Sequence, residues 1–398
     1  MKKVIKIFTA LLIVTNAFAT DRIVQENGAA GTYPTISAAI TAAVDGDRII
    51  VYPKIGDNPF IENITINKSL EFATAEDGVR YKIQGNISLE ASNNRVITII
   101  GAHLVSGNIQ GLTSGWRTNV NIMGCLLEGG NINFSNQYYV NVVSNILSNG
   151  NINISHGKVI GNEISNQINQ IAIQNSTSIS NDTVDIIANK TPRIMCSGNV
   201  FLNIQNNFIK ALNPDSSNAF FSIYYFYSTT TNMMNIINNT IIVPYGTSSF
   251  SSERPKYFNL NAPARIKNNI IQVSSTTTSY NPNVFITAGS SSSYNFIINT
   301  VGQYNSLSST DTIVASPMVD QTTGQLVQSS PAKNGADPSF EFYDLDLTRG
   351  DAGCYGGSYS LENYFPITGS SRIYNIDMPF GISTSGGPLN IKADGFDR

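Results

Sequence analysis

Residues 120–163 read VNIMGCLLEGGNINFSNQYYVNVVSNILSNGNINISHGKVIGNE. Asn131-Ile132-Asn133-Phe134 returns twenty residues later as Asn151-Ile152-Asn153-Ile154. A second register pairs a small residue with Asn: Gly124-Cys125 (Cys standing in once), Ser144-Asn145 and Gly161-Asn162. It reads on through Ser180-Asn181 and Gly198-Asn199, in steps of 20, 17, 19 and 18 residues. Related pairs follow in Asn206-Asn207-Phe208-Ile209, Asn238-Asn239-Thr240-Ile241-Ile242 and Asn268-Asn269-Ile270-Ile271. The steps between these approach 30 residues, which predicts coils with insertions.

The physical reading is a stack of coils. Alternating apolar residues, as in Val120 and Ile122 or Ile152 and Ile154, make period-2 strands with one face inward. About twenty residues hold two or three such strands and their turns. Asn tolerates the left-handed backbone of a tight turn. Stacked Asn side chains can bond from coil to coil at the ~4.8 Å strand spacing. One coil cannot bury its own face, so stability must come from its neighbours. The leucine-rich spacing L-x-x-L-x-L-x-x-N is absent.

Composition agrees. Of 398 residues only 13% are charged, against about 25% in an average soluble domain, and about one in eight is Asn. Asn, Ser, Thr and Gly are poor helix formers, so a helical protein is excluded. At 41% hydrophobic the chain is also unlike a disordered one. Its 24 basic and 27 acidic residues leave no basic footprint for nucleic acid.

Residues 1–20 read as a secretory signal peptide. Lys2, Lys3 and Lys6 precede an apolar run from Ile7 to Phe18, and Ala17-Phe18-Ala19 is an A-x-A cleavage signal. Cleavage near Ala19 or Thr20 takes the net charge from −3 to −6. The run is short of the ~20 residues of a membrane span, so a mature chain without a transmembrane segment is expected outside the cytoplasm: extracellular, periplasmic or at the cell surface. Cys125, Cys196 and Cys354 are an odd count, with no C-x-x-C and only two His, which excludes a structural zinc site. Cys125 and Cys196 lie nearly four coils apart, about 18 Å, too far for a disulfide.

The two ends add a resemblance. Tyr33-Pro34-Thr35-Ile36-Ser37-Ala38-Ala39-Ile40-Thr41-Ala42-Ala43 reads as a helix capped by Thr35, with Ile36, Ala39, Ile40 and Ala43 on one face. Asp45-Gly46-Asp47 and Ile49-Ile50-Val51-Tyr52-Pro53 follow as a turn and a strand, and Phe60 to Ile66 as the next strand. At the other end stand Ser316-Pro317-Met318-Val319-Asp320, Ser329-Ser330-Pro331-Ala332 and the run Asp344 to Gly357. With the ladder between them, residues 33–357 resemble a right-handed parallel β-helix of the pectin-lyase-like superfamily, of the exported bacterial type. The expected architecture is all-β: a single-stranded right-handed parallel β-helix over 21–357, with a capping helix at 35–44 and a strand-and-loop closing segment at 316–357. Residues 358–398 form a Gly- and Ser-rich tail able to pack on the helix, with a final strand near Leu389 to Ala393.

Many proteins of that superfamily act on acidic polysaccharides, so the resemblance implies constellations to test. For a polygalacturonase-like hydrolase, Arg265-Ile266-Lys267 spells R-I-K, but no adjacent Asp pair exists, His156 sits in Ser-His-Gly, and Asn181-Asp182-Thr183 has the wrong order. A lyase needs a cation near the uronate carboxylate and a Lys or Arg base; Lys158, Lys190, Arg193 and Lys210 lie in the repeats, Lys190 and Lys210 one coil apart. The ladder register places Glu163 and Asp182 on adjacent coils about 5 Å apart, with Asp185 nearby, a spacing suited to a raised pKa, a bound cation or a retaining glycosidase. Asp344, Asp346 and Asp351 form D-x-D-x-x-x-x-D, a candidate calcium site whose alternative is a turn taking backbone N–H bonds. Tyr224, Tyr225, Phe226 and Tyr227, beside Phe220 and Phe221, are candidate sugar-stacking rings or one buried strand face. Segments 246–255 and 274–283 are Ser/Thr-rich and read as loops. Between Arg95 and Lys158 only Arg117 and Glu128 are charged, which strips several coils of titratable groups. The reading is therefore a non-catalytic binding scaffold for polysaccharide or cell-surface glycan. A uronate polysaccharide lyase, and after it a glycoside hydrolase, is the alternative.

Overall fold

The structure, a computed structural model, describes residues 19–112, 117–166, 168–174, 183–210, 221–225, 233–243, 256–273, 289–298, 308–367, 371–377 and 392–397. The segment read as a signal peptide, up to residue 18, and the segments 246–255 and 274–283 read as loops lie outside them. The chain winds into a parallel β-helix of three long sheets, with twelve, twelve and nine strands. One coil shows the logic. Tyr138–Val143 adds to sheet 1, Ile146–Leu147 to sheet 2 and Ile152–Ile154 to sheet 3, each parallel to its equivalent one coil before and after. The stretch Phe60 to Ile66 is two strands, Phe60–Ile61 on sheet 2 and Ile64–Ile66 on sheet 3, bent at Glu62-Asn63.

Register stacks like on like. Sheet 1 carries inward Ile49, Phe72, Ile99, Ile122, Val142, Val159, Ile186, Ile204, Ile236 and Ile266 in one column. Sheet 3 stacks Ile64, Ile87, Ile109, Ile132, Ile152, Ile171, Ile194 and Ile223. These side chains are all 3% exposed or less, and burying each is worth about 2 kcal/mol. A one-residue slip would turn a whole column to solvent, so the alternation fixes the register.

The corner between sheets 1 and 2 uses a two-residue device. Its first residue is left-handed, with φ between 53° and 69° at Gly101, Gly124, Ser144, Gly161, Ala188, Asn206, Asn238, Asn268 and Tyr294. The second residue points inward. From Asn145 through Asn162, Asn189, Asn207, Asn239 and Asn269 to Asn295 these side chains form one buried ladder, none more than 1% exposed. In each coil the backbone N–H and Nδ2 donate to Oδ1 of the next Asn at 2.9–3.0 Å. Asn162 is followed by Asn189, 27 residues on, and Asn189 by Asn207, steps that differ from those read in the sequence. The coil after Asn162 is one of the long ones, and Ala188 takes the left-handed place expected of Ser180.

The helix Ile36–Ala42 follows Thr35, whose side chain accepts from Ala38 N, and it buries Ile36, Ala39 and Ile40. Glu62 receives the N–H groups of Ile36 and Ser37 at 2.9 and 3.0 Å, tying this helix to the first complete coil. At the other end Thr312–Val314 closes sheet 2 against Phe296–Ile298. The chain then runs back along the flank. Its contacts step down the coils: Met318 N to Gln272 Oε1, Asp337 N to Asn268 Oδ1, Cys354 N to Thr240 Oγ1 and Asn206 Nδ2 to Gly356 O. Farther down, Arg372 reaches Ser144 and Phe396 packs on Ile100, Met123 and Val143. This strap covers an outward apolar column of sheet 1, Ile100–Met123–Val143–Ile160–Ile187, which would otherwise face water. Ser371–Asp377 and Lys392–Asp397 form an antiparallel pair at its end.

Candidate functional site

With the strap over one flank, the outward rows of sheets 1 and 3 remain as faces. On sheet 1 the row is Thr98, Asn121, Asn141, Lys158, Asp185, Asn203, Asn235 and Arg265. Hydrogen bonds run along it: Asn121 Nδ2 to Thr98 Oγ1 at 3.1 Å, Asn141 Nδ2 to Asn121 Oδ1 at 2.9 Å and Asn203 Nδ2 to Asp185 Oδ1 at 3.1 Å. On sheet 3 the row is Thr65, Ser88, Gln110, Asn133, Asn153, Ala172, Met195 and Tyr224, all uncharged, with Ala172 fully buried between Asn153 and Met195. Strand pairing sets both rows at about 4.8 Å per coil.

The coil register differs from the one behind the expected acidic pair. Glu163 sits on sheet 2, and its register partner on the next coil is Lys190. Asp182 lies outside the described residues, directly before Thr183–Ile187 of sheet 1. The sequence spacing takes 181 as the rung after Asn162, and the observed rung is Asn189. Asp185 is on sheet 1, between Lys158 and Asn203, a sheet away from Glu163. Lys190 holds its Nζ 4.2 Å from the Phe365 ring centroid, a cation–π contact with the strap. Lys210 ends a sheet 2 strand beside Ile242, and its charge helps hold the Asp320 carboxyl of the strap low, behind the hydrogen bonds from Thr323 and Thr322. Arg193 stands at the corner between sheets 2 and 3, where burial lowers its pKa. Among the described candidates, register sets two pairs on adjacent coils: Glu163 with Lys190 on sheet 2 and Lys158 with Asp185 on sheet 1.

The aromatic cluster divides. Tyr225 is fully buried, its hydroxyl donating to Val200 O at 3.4 Å. Tyr224 is half-exposed on the outward row of sheet 3. Phe226 and Tyr227 lie outside the described residues. The alternation of a strand therefore gives one ring to the core and one to the face.

The three aspartates of the closing segment each accept backbone N–H groups. Asp344 accepts from Gly357 N at 2.6 Å and Asp351 N at 3.1 Å, Asp346 from Thr348 N at 2.9 Å, and Asp351 from Asn334 N at 2.7 Å. Among the described residues no group of three His, Cys, Asp or Glu is placed to hold a metal, and these hydrogen bonds are those of the turn reading. Burial, with Asp351 and Asp346 close by, raises the Asp344 carboxyl.

Arg265-Ile266-Lys267 clamps the strap. Arg265 pairs with Glu341 at 3.2 Å, Lys267 pairs with Asp337, and both cations lie over the Phe342 ring. The three cysteines are free and buried, and burial pushes their thiols up to about 11 for Cys125 and about 12 for Cys196 and Cys354. A thiol held there offers no thiolate nucleophile. His103 meets Glu128 at 2.8 Å on sheet 2, and His156 is buried at the approach to sheet 1.

Sequence reasoning missed two features. One is the Lys158–Asp185 register, which only the true rung spacing gives. The other is a second ladder at the corner between sheets 2 and 3, whose signal was visible as Gly85-Asn86, Gly107-Asn108, Gly130-Asn131 and Gly150-Asn151. A Cβ on any of these four glycines would lie within 2.2 Å of a carbonyl in the preceding coil, so only Gly fits.

No family model matches the chain, and no curated protein matches it. Among the described residues no helix is long and apolar enough to cross a membrane.

Proposed function

We propose that this chain is an exported β-helix of the pectin-lyase-like type that binds glycan without cleaving it, at the cell surface or beyond it. The observation that carries this reading is the uncharged outward row of sheet 3. Thr65, Ser88, Gln110, Asn133 and Asn153 repeat hydroxyl and amide groups at coil spacing, and Met195 and Tyr224 continue the row with apolar surface and a ring. Hydroxyls and amides donate and accept, as sugar hydroxyls do, and a half-exposed Tyr supplies the flat apolar contact that orients a ring. A row without charge suits a neutral polysaccharide. Affinity electrophoresis through soluble mannan, xylan, β-glucan, galactan and polygalacturonate tests it. Retardation in a neutral gel that Tyr224→Ala abolishes is expected; equal mobility in all five gels removes the reading.

A second reading rests on the row of sheet 1. Lys158 and Asp185 are register neighbours there, a Lys for the base and a carboxylate that could hold the cation a uronate lyase needs. Incubation with polygalacturonate, read at 235 nm for unsaturated ends, separates the two readings. The scaffold reading expects a flat trace; rising absorbance that Lys158→Met abolishes would establish the lyase.

A further inference from the structure

Thr20, the residue after the A-x-A signal, is docked on both sides of its backbone. Thr20 N donates to Asp47 Oδ1 at 3.0 Å, and Thr20 O accepts Arg48 N at 3.1 Å. These bonds continue the register of sheet 1, where Asp21–Val24 is the end strand and pairs with Arg48–Val51. Thr20 is thus already part of the solenoid, while the bond before it stays accessible, since Ala19 and Thr20 are both exposed.

The acceptor is an enclosed anion. Asp47 is 1% exposed. Burial opposes its charge, but bonds from Val44 N, Thr20 N and Arg22 outweigh burial and hold the carboxyl below the usual range. Its Oδ2 takes Arg22 Nε at 2.8 Å and Val44 N at 3.0 Å. Its main chain donates to Val44 O at 3.1 Å and accepts Glu71 N at 3.2 Å. One aspartate therefore joins the exit of the capping helix, the first strand and the next coil. A charge-assisted bond is about twice as strong as a neutral one, and an enclosed carboxylate gains from a cation in direct contact. Cutting the chain before Thr20 supplies that cation.

We propose that Ala19–Thr20 is the bond cut on export and that the Asp47 carboxylate is the binding site for the α-ammonium so freed. Water adds its hydroxyl to the Ala19 carbonyl carbon and a hydrogen to Thr20 N as the C–N bond breaks. The new Ala19 acid then passes its proton to the amine, which leaves a carboxylate on the released segment and an ammonium on Thr20. The ammonium keeps the 3.0 Å contact of the amide and adds a full charge to it. A cut one residue earlier sets the charge about 3.3 Å farther out, and a cut one residue later deletes the donor. Processing in this way locks the N-terminal end of the solenoid. The proposal rests on the export part of the reading above and is independent of glycan binding.

N-terminal sequencing of the chain secreted from a bacterial host should begin at Thr20. Residues 20–398 with a free and with an acetylated α-amine separate charge from hydrogen bonding, because acetylated Thr20 keeps one N–H. The free form should melt about 2 °C higher, and an Asp47→Asn chain should close the gap. In the unmutated chain an acylating reagent at neutral pH should modify the Thr20 amine at least about fivefold more slowly than the amine of the peptide 20–24, a readout that needs no variant to fold. A different first residue, equal melting of the free and acetylated chains, or labelling at the peptide's rate would each overturn the proposal and leave export standing. A secreted chain that keeps residues 1–19 would remove both.

Discussion

Two corners of this solenoid use the same residue in opposite ways. At the corner of sheets 1 and 2 the ladder is buried, and both ends of every amide work. Asn207 Oδ1 accepts from Asn189 N and Nδ2, both at 2.9 Å, while its Nδ2 is shared among Ile186 O, Gln205 O and Asn239 Oδ1 at 2.8–3.0 Å. At the corner of sheets 2 and 3 the ladder is half-exposed, and the oxygen does most of the work. Asn131 Oδ1 accepts Asn151 N at 2.8 Å, but its Nδ2 reaches only Asn108 Oδ1, at 3.5 Å. The polarity also reverses. In the buried ladder each coil donates to the next; in the exposed one it donates to the coil before. The buried ladder accordingly ends on a carboxylate, Asp311, which accepts Asn295 N and Nδ2 at 2.9 Å. At its start Cys125 N donates to Asn145 Oδ1, and Cys125 Sγ–H points to Ile99 O, the carbonyl column that Asn Nδ2 uses in later coils.

The contrast is breakable by mutation. The largest effect belongs to Asn207→Asp, which removes the Nδ2 donor and sets a carboxylate against Asn239 Oδ1 in a fully buried site. Guanidinium unfolding at neutral pH should show a loss of about 4 kcal/mol or more. Next comes the strap, whose Lys267→Ala variant strands the nearly buried Asp337. Hydrogen exchange should quicken over residues 318–357, with a cost of about 2–3 kcal/mol, and leave the coils protected. Smaller again is Cys125→Asn, which extends the buried ladder by one rung; a change within about 1.5 kcal/mol is expected from melting curves.

Acid acts on the same contrast. Burial pushes the Asp337 carboxyl up, but Lys267 and Ser339 outweigh it and hold it below the usual carboxylate range. Asp47, buried yet bonded by Val44 N, Thr20 N and Arg22, is held low in the same way. Their contribution is full above the usual carboxylate value and disappears as pH falls through the lowered one. Asp344 has the opposite sign: its raised pKa favours the fold in acid, and that share is lost as pH rises through the usual value and then the raised one. Exchange-monitored acid titration should therefore release the strap near Asp337 only below the usual carboxylate range. The coils between, held by neutral amides, should stay closed.

Much of the fold was legible because the repeat is chemical as well as numerical. Ile152 and Ile154 alternate inward, and Thr35 with Ile36, Ala39 and Ile40 announces the capping helix. The rung after Asn162 was not legible, because the longer step of 27 residues leaves the local spacing uninformative and Ala188 carries no polar mark. The carboxylates misled for the same reason: Glu163 and Asp182 share a count from a presumed rung, while register pairs Glu163 with Lys190. The R-I-K triplet misled differently. Its two cations serve the strap, a contact 70 residues away in sequence that no local pattern announces.

The most direct test of the two-ladder account pairs Asn207→Asp with Asn131→Asp under denaturant, at neutral pH and again in acid. Asn131→Asp keeps the one oxygen its corner uses and should stay within about 0.5 kcal/mol of the parent, while Asn207→Asp loses several and recovers part of it as its carboxyl protonates. Equal losses at both corners, or a harmless Asn207→Asp, would contradict the division of labour between them.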